Sequence, residues 1–171
     1  MVTDEGRLFC GGGITADLNL SLYLISEYFS REVALQCSRC TLVDLDRITQ
    51  LPFAVFLSDK NHQDLEILNA QEWIENNYQR NISVDSLAET SGMSKRSFNR
   101  RFKSATGESA VTYIQLIRVE AAKKLLEQGQ SSFDDISVNI GYENVSFFRR
   151  IFKRTTGVSP AAYRKKFNLF L

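Results

Sequence analysis

Arg96, Asn99, Arg100 and Lys103 lie within one short segment, and Ser146, Arg149, Arg150 and Lys153 repeat the arrangement fifty residues later. A guanidinium is a rigid fork of N–H donors suited to planar acceptors, and a primary amide offers one donor edge and one acceptor edge. In the major groove of B-DNA these shapes match guanine and adenine, and each bidentate pair contributes roughly 1–3 kcal/mol of base discrimination. Lys95, Lys103, Lys153 and Arg154 suit phosphate oxygens, which fix register without reading sequence. Two other constellations invite a different chemistry. Cys10 precedes Gly11, Gly12 and Gly13 and a helix, the outline of a nucleophile elbow or a phosphate cradle, and Cys37 and Cys40 form a C-x-x-C pair.

The arginine clusters need elements to hold them, and the chain repeats those elements too. KRSFNRRFKSATG (95–107) returns as VSFFRRIFKRTTG (145–157), so Phe98, Arg100, Phe102, Lys103, Thr106, Gly107, Ser109 and Tyr113 meet identical residues at an offset of fifty. Upstream, VDSLAETSGM (84–93) aligns with FDDISVNIGY (133–142) at an offset of forty-nine. Each copy reads as a short helix, a glycine turn at Gly92 or Gly141, and a longer helix capped by Ser94 or Asn144. Beyond that longer helix, Ser109 and Ser159 are placed to cap the next one, with Pro160 at a first helical position. An advance of 100° per residue points Phe98, Phe102 and Ala105 inward and Arg96, Asn99, Arg100 and Lys103 outward. In the second copy Phe148, Ile151, Phe152 and Thr155 point inward, and Ser146, Arg149, Arg150 and Lys153 outward. The plainer account makes the aromatics core and the cations solvent; a solvated face, however, has no need of arginine in both copies.

Between the copies, AVTYIQLIRVEAAKKLLEQG reads as one helix with Ile114, Ile117, Ala121 and Leu125 on a stripe. Over residues 110–127 it spans about 27 Å, long enough to hold two helices about one DNA turn, ~34 Å, apart. A core helix would carry the same stripe. Ahead of the first copy, NHQDLEILNAQEWIENNY places Ile67, Ala70, Ile74 and Tyr78 at helical spacing beside Trp73, and packing is the expected role.

Charge divides the chain where the repeats begin. Residues 1–92 carry 6 Lys/Arg against 14 Asp/Glu, and residues 93–171 carry 15 against 6, although the net charge is only +1. This polarity suits a polyanion-binding part joined to something else. With 43% hydrophobic and 11% aromatic residues in 171, the chain can bury a core in one or two small domains. No apolar run approaches the ~20 residues that span a bilayer, and the N-terminus has no leader pattern. Three cysteines fit reduced thiols, so a cytoplasmic location is expected.

The enzymatic constellations are incomplete. The glycines follow neither G-x-x-x-x-G-K-[ST] nor the flanked G-x-G-x-x-G pattern, and the single histidine, His62, has no partner visible in the sequence. Cys37 and Cys40 lack third and fourth metal ligands. No catalytic residue, metal ligand or cofactor is expected. Residues 1–60 read as a short strand, the glycine turn, a helix bearing Leu18, Leu22, Ile25 and Phe29, and a second helix near 31–43.

With these residues in view, 64–168 resembles the AraC/XylS-type DNA-binding domain across ISVDSLAETSGMSKRSFNRRFKSATGESAVTYIQLIRVEAAKKLL and ISVNIGYENVSFFRRIFKRTTGVSPAAYRKKF. The resemblance implies two helix-turn-helix units on one face of the duplex that regulate transcription. By position it implies base reading by Arg96, Asn99 and Arg100, then by Val145, Ser146, Arg149 and Arg150, with the first unit reading more sequence. Residues 1–60, through LPFAVFLSDKNHQD, are similar to the last strand and helices of the class I glutamine amidotransferase-like domain of GlxA-type regulators. That family's cysteine elbow lies before the portion present, so the chain is expected to be a natural remnant or a fragment.

The expected architecture is therefore mostly α: residues 1–60 a short α/β remnant and linker, and 61–171 the DNA-binding domain. Within it, the first helix-turn-helix covers about 84–106, the linker helix about 110–127 and the second helix-turn-helix about 133–156. The expected partners are double-stranded DNA and RNA polymerase or other regulators, with no membrane. Two alternatives stay open. A protein-interaction module on the same scaffold predicts weak DNA affinity insensitive to Arg96 and Arg100, and an amidotransferase-like enzyme accounts only for the first third.

Overall fold

The computed structural model of the chain describes residues 2–4, 9–11, 16–43, 51–129 and 131–168. They fall into two compact units, Met1–Phe53 and Ala54–Leu171. In the first, β1 (Val2–Asp4) pairs antiparallel with β2 (Phe9–Gly11), Thr3 lying opposite Cys10. The sequence suggested one strand; the second is too short for periodicity to reveal it. Gly12 and Gly13 lie outside the described residues. Helices α1 (Ala16–Tyr28) and α2 (Arg31–Thr41) come next, with Ser30 capping α2 by accepting from the Val33 N–H at 3.2 Å. Leu22 and Ala34 are buried here, whereas Phe29, which the sequence reading placed on the first helix, is 78% exposed. The reason is that α1 ends at Tyr28, so Phe29 sits in the turn and leaves the helical register. A 3-10 turn, Leu51–Phe53, is the last described element of the unit.

The second unit contains α3 (Leu65–Asn77), α4 (Val84–Thr90), α5 (Lys95–Thr106), α6 (Ala110–Glu127), α7 (Phe133–Asn139), α8 (Val145–Thr156) and α9 (Pro160–Phe167). It is two helix-turn-helix subdomains joined by the long helix α6. The unit starts earlier than the boundary at 60 and 61 expected from the sequence. The Phe56 ring meets Tyr113 edge-on at 5.3 Å, and the Phe56 N–H donates to Glu120 at 3.2 Å. Lys123 Nζ reaches the Ala54 carbonyl at 2.6 Å. Residues 54–60 thus belong to the second unit, with Phe56 packed against its first core.

Caps define the helices as their side chains dictate. Asp64, Ser83, Ser94, Ser109, Ser132, Asn144 and Ser159 each accept a backbone N–H from three residues on. Gly92 and Gly141 hold φ of +64° and +91°, the left-handed turn that separates short helix from long in each copy. Two cores result. Ile67, Ala70, Ile74, Leu87, Phe98, Phe102, Tyr113 and Ile114 form the first; Val119, Ala122, Leu126, Ile136, Ile140, Phe148, Phe152 and Tyr163 form the second. Burial of the Tyr113 phenol, helped by its hydrogen bond to Glu75 at 2.7 Å, pushes its pKa up to about 12.

Helix α6 serves both cores from opposite sides. Ala110, Tyr113, Ile114 and Ile117 face the first core, and Val119, Ala122 and Leu126 face the second, about 160° away around the helix. Of the stripe read from the sequence, Ile114 and Ile117 pack in or against the first core and Ala121 and Leu125 against the second. Ile114 is buried, but Ile117, Ala121 and Leu125 are only partly so. A helix shared by two cores has no single apolar stripe to find. Trp73, expected to pack, is 39% exposed and lines a shallow groove of about 250 Å³ between α3 and α4.

Candidate nucleic-acid interface

The outward face of α5 carries Arg96, Asn99, Arg100 and Lys103, all exposed and without a hydrogen bond or ion pair among the described residues. Positions i, i+3, i+4 and i+7 share one face of an α-helix, so the four side chains form a continuous donor strip. Behind the strip, Phe98 and Phe102 are fully buried, their centroids 5.5 Å apart, and Phe102 meets Tyr113 of α6 edge-on at 5.3 Å. The face is free because the opposite face is fixed. Lys95, at the helix start, pairs with Asp85 of α4 at 2.9 Å, both side chains well exposed. An exposed pair of this kind contributes little and exchanges readily for a phosphate.

Arg101, absent from the sequence-based set, has a different task. Its Nε and Nη2 donate to the two carboxylate oxygens of Asp64 at 2.8 and 2.6 Å, and its Nη1 lies 3.4 Å from Met93 Sδ. Asp64 also caps α3, so this fork ties the start of α3 to the middle of α5. The Arg101 hydrogen bond holds the Asp64 carboxyl below the usual carboxylate range, against the opposing effect of burial. His62, whose partner the sequence did not show, bonds Gln71 at 2.8 Å and accepts from the Asp64 N–H at 3.3 Å. The sequence does hold one signal: at the offset of fifty Arg101 meets Ile151, a buried residue of the second core.

In α8 the outward face carries Ser146, Arg149, Arg150 and Lys153, all exposed, with Val145 half-buried at the first turn. Phe148, Ile151 and Phe152 are buried behind them and Thr155 is half-buried, so the inward and outward assignments of both copies match the structure. The cations here are partly engaged. Arg149 donates to Asp134 of α7 at 3.1 Å and lies 5.2 Å over the Phe133 ring. Arg150 sits 5.8 Å over Phe147, which is 43% exposed and tilts against Tyr142. Arg154 donates to Gln115 of α6 at 3.0 Å. The two strips therefore differ: α5 presents open donors, whereas in α8 Arg149 is paired and Arg150 lies over a ring.

Each strip begins at a capped helix start, where backbone N–H groups and the helix dipole favour an anion. Planar donors, ammonium groups and helix starts on one unit form a surface able to bind a polyanion and to discriminate among flat acceptors. Among the described residues no group of His, Cys, Asp or Glu could hold a metal ion, and no helix is long and apolar enough to cross a membrane. Cys37 and Cys40 are free thiols on α2.

Residues 87–166 match the helix-turn-helix domain family. The bifunctional transcriptional activator and DNA repair enzyme AdaA of Bacillus subtilis (strain 168) is 37% identical over 94 residues, 55% of this chain and 44% of that protein. An HTH-type transcriptional regulator encoded in the cgkA 5′ region of Pseudoalteromonas carrageenovora is 31% identical over 102 residues, 60% of each chain. The chain thus spans less than two thirds of these relatives. Among solved structures, the DNA-binding domain of the global transcriptional factor AdpA, in complex with a target DNA, superposes with a TM-score of 0.57 at 33% identity. That match covers 59% of this chain and 91% of the domain.

Proposed function

We infer that this chain, which carries an AraC-type helix-turn-helix domain, is a sequence-specific DNA-binding transcription regulator that inserts α5 and α8 into successive major grooves. The observation that carries this reading is the duplicated outward strip, each copy rich in arginine and each backed by a buried phenylalanine pair. The AdpA domain, similar over nine tenths of its length, was solved on its target DNA and supports it. Arg96, Asn99 and Arg100 read bases from α5. Val145, Ser146, Arg149 and Arg150 read from α8, with fewer hydrogen bonds to offer at Val145 and Ser146. Lys95, Lys103, Lys153 and Arg154 hold phosphates.

RNA polymerase or another regulator is the proposed second partner, and the cytoplasm, where DNA is accessible, the proposed location. Residues 1–60 are assigned to the end of a GlxA-like amidotransferase domain, on the strength of the sequence resemblance alone. The reading is non-enzymatic: AdaA is bifunctional, but the similarity reaches only 44% of it.

The test is selection of bound sequences from a random duplex pool at near-physiological salt, with Arg96→Ala/Arg100→Ala alongside the unaltered chain. A motif of two elements about one helical turn apart, the first lost in the variant, is the expected result. No enriched motif, or a motif unchanged in the variant, overturns the reading and favours the helix-turn-helix units as a protein-binding scaffold.

A further inference from the structure

Arg118 lies in the seam of α6 between the two cores, only 8% exposed, and no carboxylate among the described residues pairs with it. Its Nε donates to the Tyr78 carbonyl at 2.8 Å and its Nη2 to the Arg80 carbonyl at 2.7 Å. Both carbonyls belong to the segment just after α3, a helix of the first core. The Cζ of the same guanidinium lies over the Tyr142 ring, 4.8 Å from its centroid, in the turn of the second helix-turn-helix. Tyr142 in turn stacks at 4.6 Å on Phe148, which anchors α8. The Arg118 side chain therefore joins the segment after α3, whose Tyr78 also packs against the second core, to the turn of the second helix-turn-helix.

Gly141 brings the two parts to close range. A Cβ there would overlap the Gln79 carbonyl oxygen and stand 2.9 Å from Arg118 Nη2, whereas a Cβ at Gly92, the corresponding turn of the first copy, would meet nothing within 4 Å. Both glycines have positive φ, so the left-handed turn alone accounts for Gly92. At Gly141 the second turn is also pressed against the segment after α3. The position of Tyr142 is held by Met93 in the first copy, which meets Arg101 from its own subdomain. Only the second turn receives a guanidinium that also bonds the other subdomain.

From these contacts, and resting on the DNA-reading function above, we propose that Arg118 is a positioning residue that sets the angle and spacing between α5 and α8, and hence the separation of DNA elements the chain accepts. It touches no base. Its planar fork can bond two carbonyls while its Cζ stays over a ring, and the single compact nitrogen of a lysine does not reproduce that geometry. Loss of the joint leaves each helix able to enter a groove but joined to the other by a looser hinge, which lowers the gain from binding both at once.

The test has a DNA arm and a DNA-free arm, both on the full chain with Arg118→Lys and, as a variant that keeps apolar bulk in the turn, Tyr142→Leu. In the DNA arm, affinities are measured on the selected two-element duplex, on the duplex with the second element scrambled, and with one base pair inserted between the elements. One inserted base pair rotates the second element by about 35°. The unaltered chain is expected to lose tenfold or more on insertion. Each variant is expected to lose less than about threefold, to bind the first element alone as before, and to gain less from the second. An unchanged insertion penalty, or an equal loss on the single element, overturns the proposal.

In the DNA-free arm, nitroxides at Ser104→Cys and Ala161→Cys, with Cys10, Cys37 and Cys40 changed to serine, report the distance between the subdomains by electron–electron resonance. A narrow distribution that broadens in both variants is expected, with α-helical circular dichroism retained. If both variants keep the narrow distribution, the proposal fails whatever the DNA result. If the distribution broadens but the unaltered chain selects no motif, the joint stands and the DNA-reading function fails.

Discussion

At the scale of single residues, Arg100 and Lys103 stand on one face of α5, one turn apart, yet are assigned different work. Arg100→Ala is expected to relax specificity at one base position at a cost of roughly 1–3 kcal/mol, measured on the selected duplex and its single-base variants. Lys103→Ala should weaken every sequence alike and lower the slope of log affinity against log salt by about 1. Equal losses on all sequences for both would refute the division of roles. Asp64 supplies a pH dependence. Its folded-state pKa is depressed, chiefly by the Arg101 hydrogen bond, so its contribution to stability is present above the unfolded value, about 3.9. That contribution is lost as pH falls through the folded value. Asp64→Asn, which keeps a good cap, is expected to lower Tm at pH 6 and to converge with the unaltered chain under strongly acid conditions. A Tm difference that stays constant as pH falls would show that the fork adds nothing.

At the scale of elements, each reading helix is held from behind by buried aromatic rings, and that backing sets the energetics. Phe102 is fully buried between Phe98 and Tyr113, and Phe102→Ala is expected to cost ~3–5 kcal/mol in urea unfolding through lost burial and a residual cavity. Ser94→Ala removes the cap that accepts the Ser97 N–H at 3.3 Å and should cost ~1 kcal/mol. The two changes differ in what they do to DNA binding. The cavity disorders the first core and abolishes reading by α5, whereas loss of the cap leaves the selected motif unchanged and lowers affinity modestly. A motif altered by Ser94→Ala would mean that the cap itself touches DNA.

At the scale of the whole molecule, the chain divides into two compact units, and both core clusters lie in the second. A chain beginning at Ala54 retains Phe56, Glu120 and Lys123, which tie residues 54–60 into the second unit. It is expected to melt cooperatively within about 3 °C of the same transition in the full chain and to select the same motif. A chain beginning at Asn61, at the boundary the sequence suggested, loses the Phe56–Tyr113 contact and should melt earlier. Equal melting of the two shortened chains would show that Phe56 adds nothing to the core it packs against.

What the sequence determined by itself was the repeat and the punctuation that recurs in it. Glycine turns, Ser and Asn caps and the outward or inward sense of α5 and α8 obey local rules, and the fifty-residue repeat let each copy check the other. Helix α6 and its residues were harder to read, because a helix buried on opposite sides by two cores has no single periodic stripe. Only the tertiary structure separated Arg101 and Arg118, which brace the scaffold, from Arg96 and Arg100, which stand free. Guanidinium groups look alike in a sequence, and their use depends on whether carbonyls, carboxylates or solvent surround them after folding. The same holds for Gly141 and Gly92: both make the turn, but only packing presses one of them against Gln79 and Arg118.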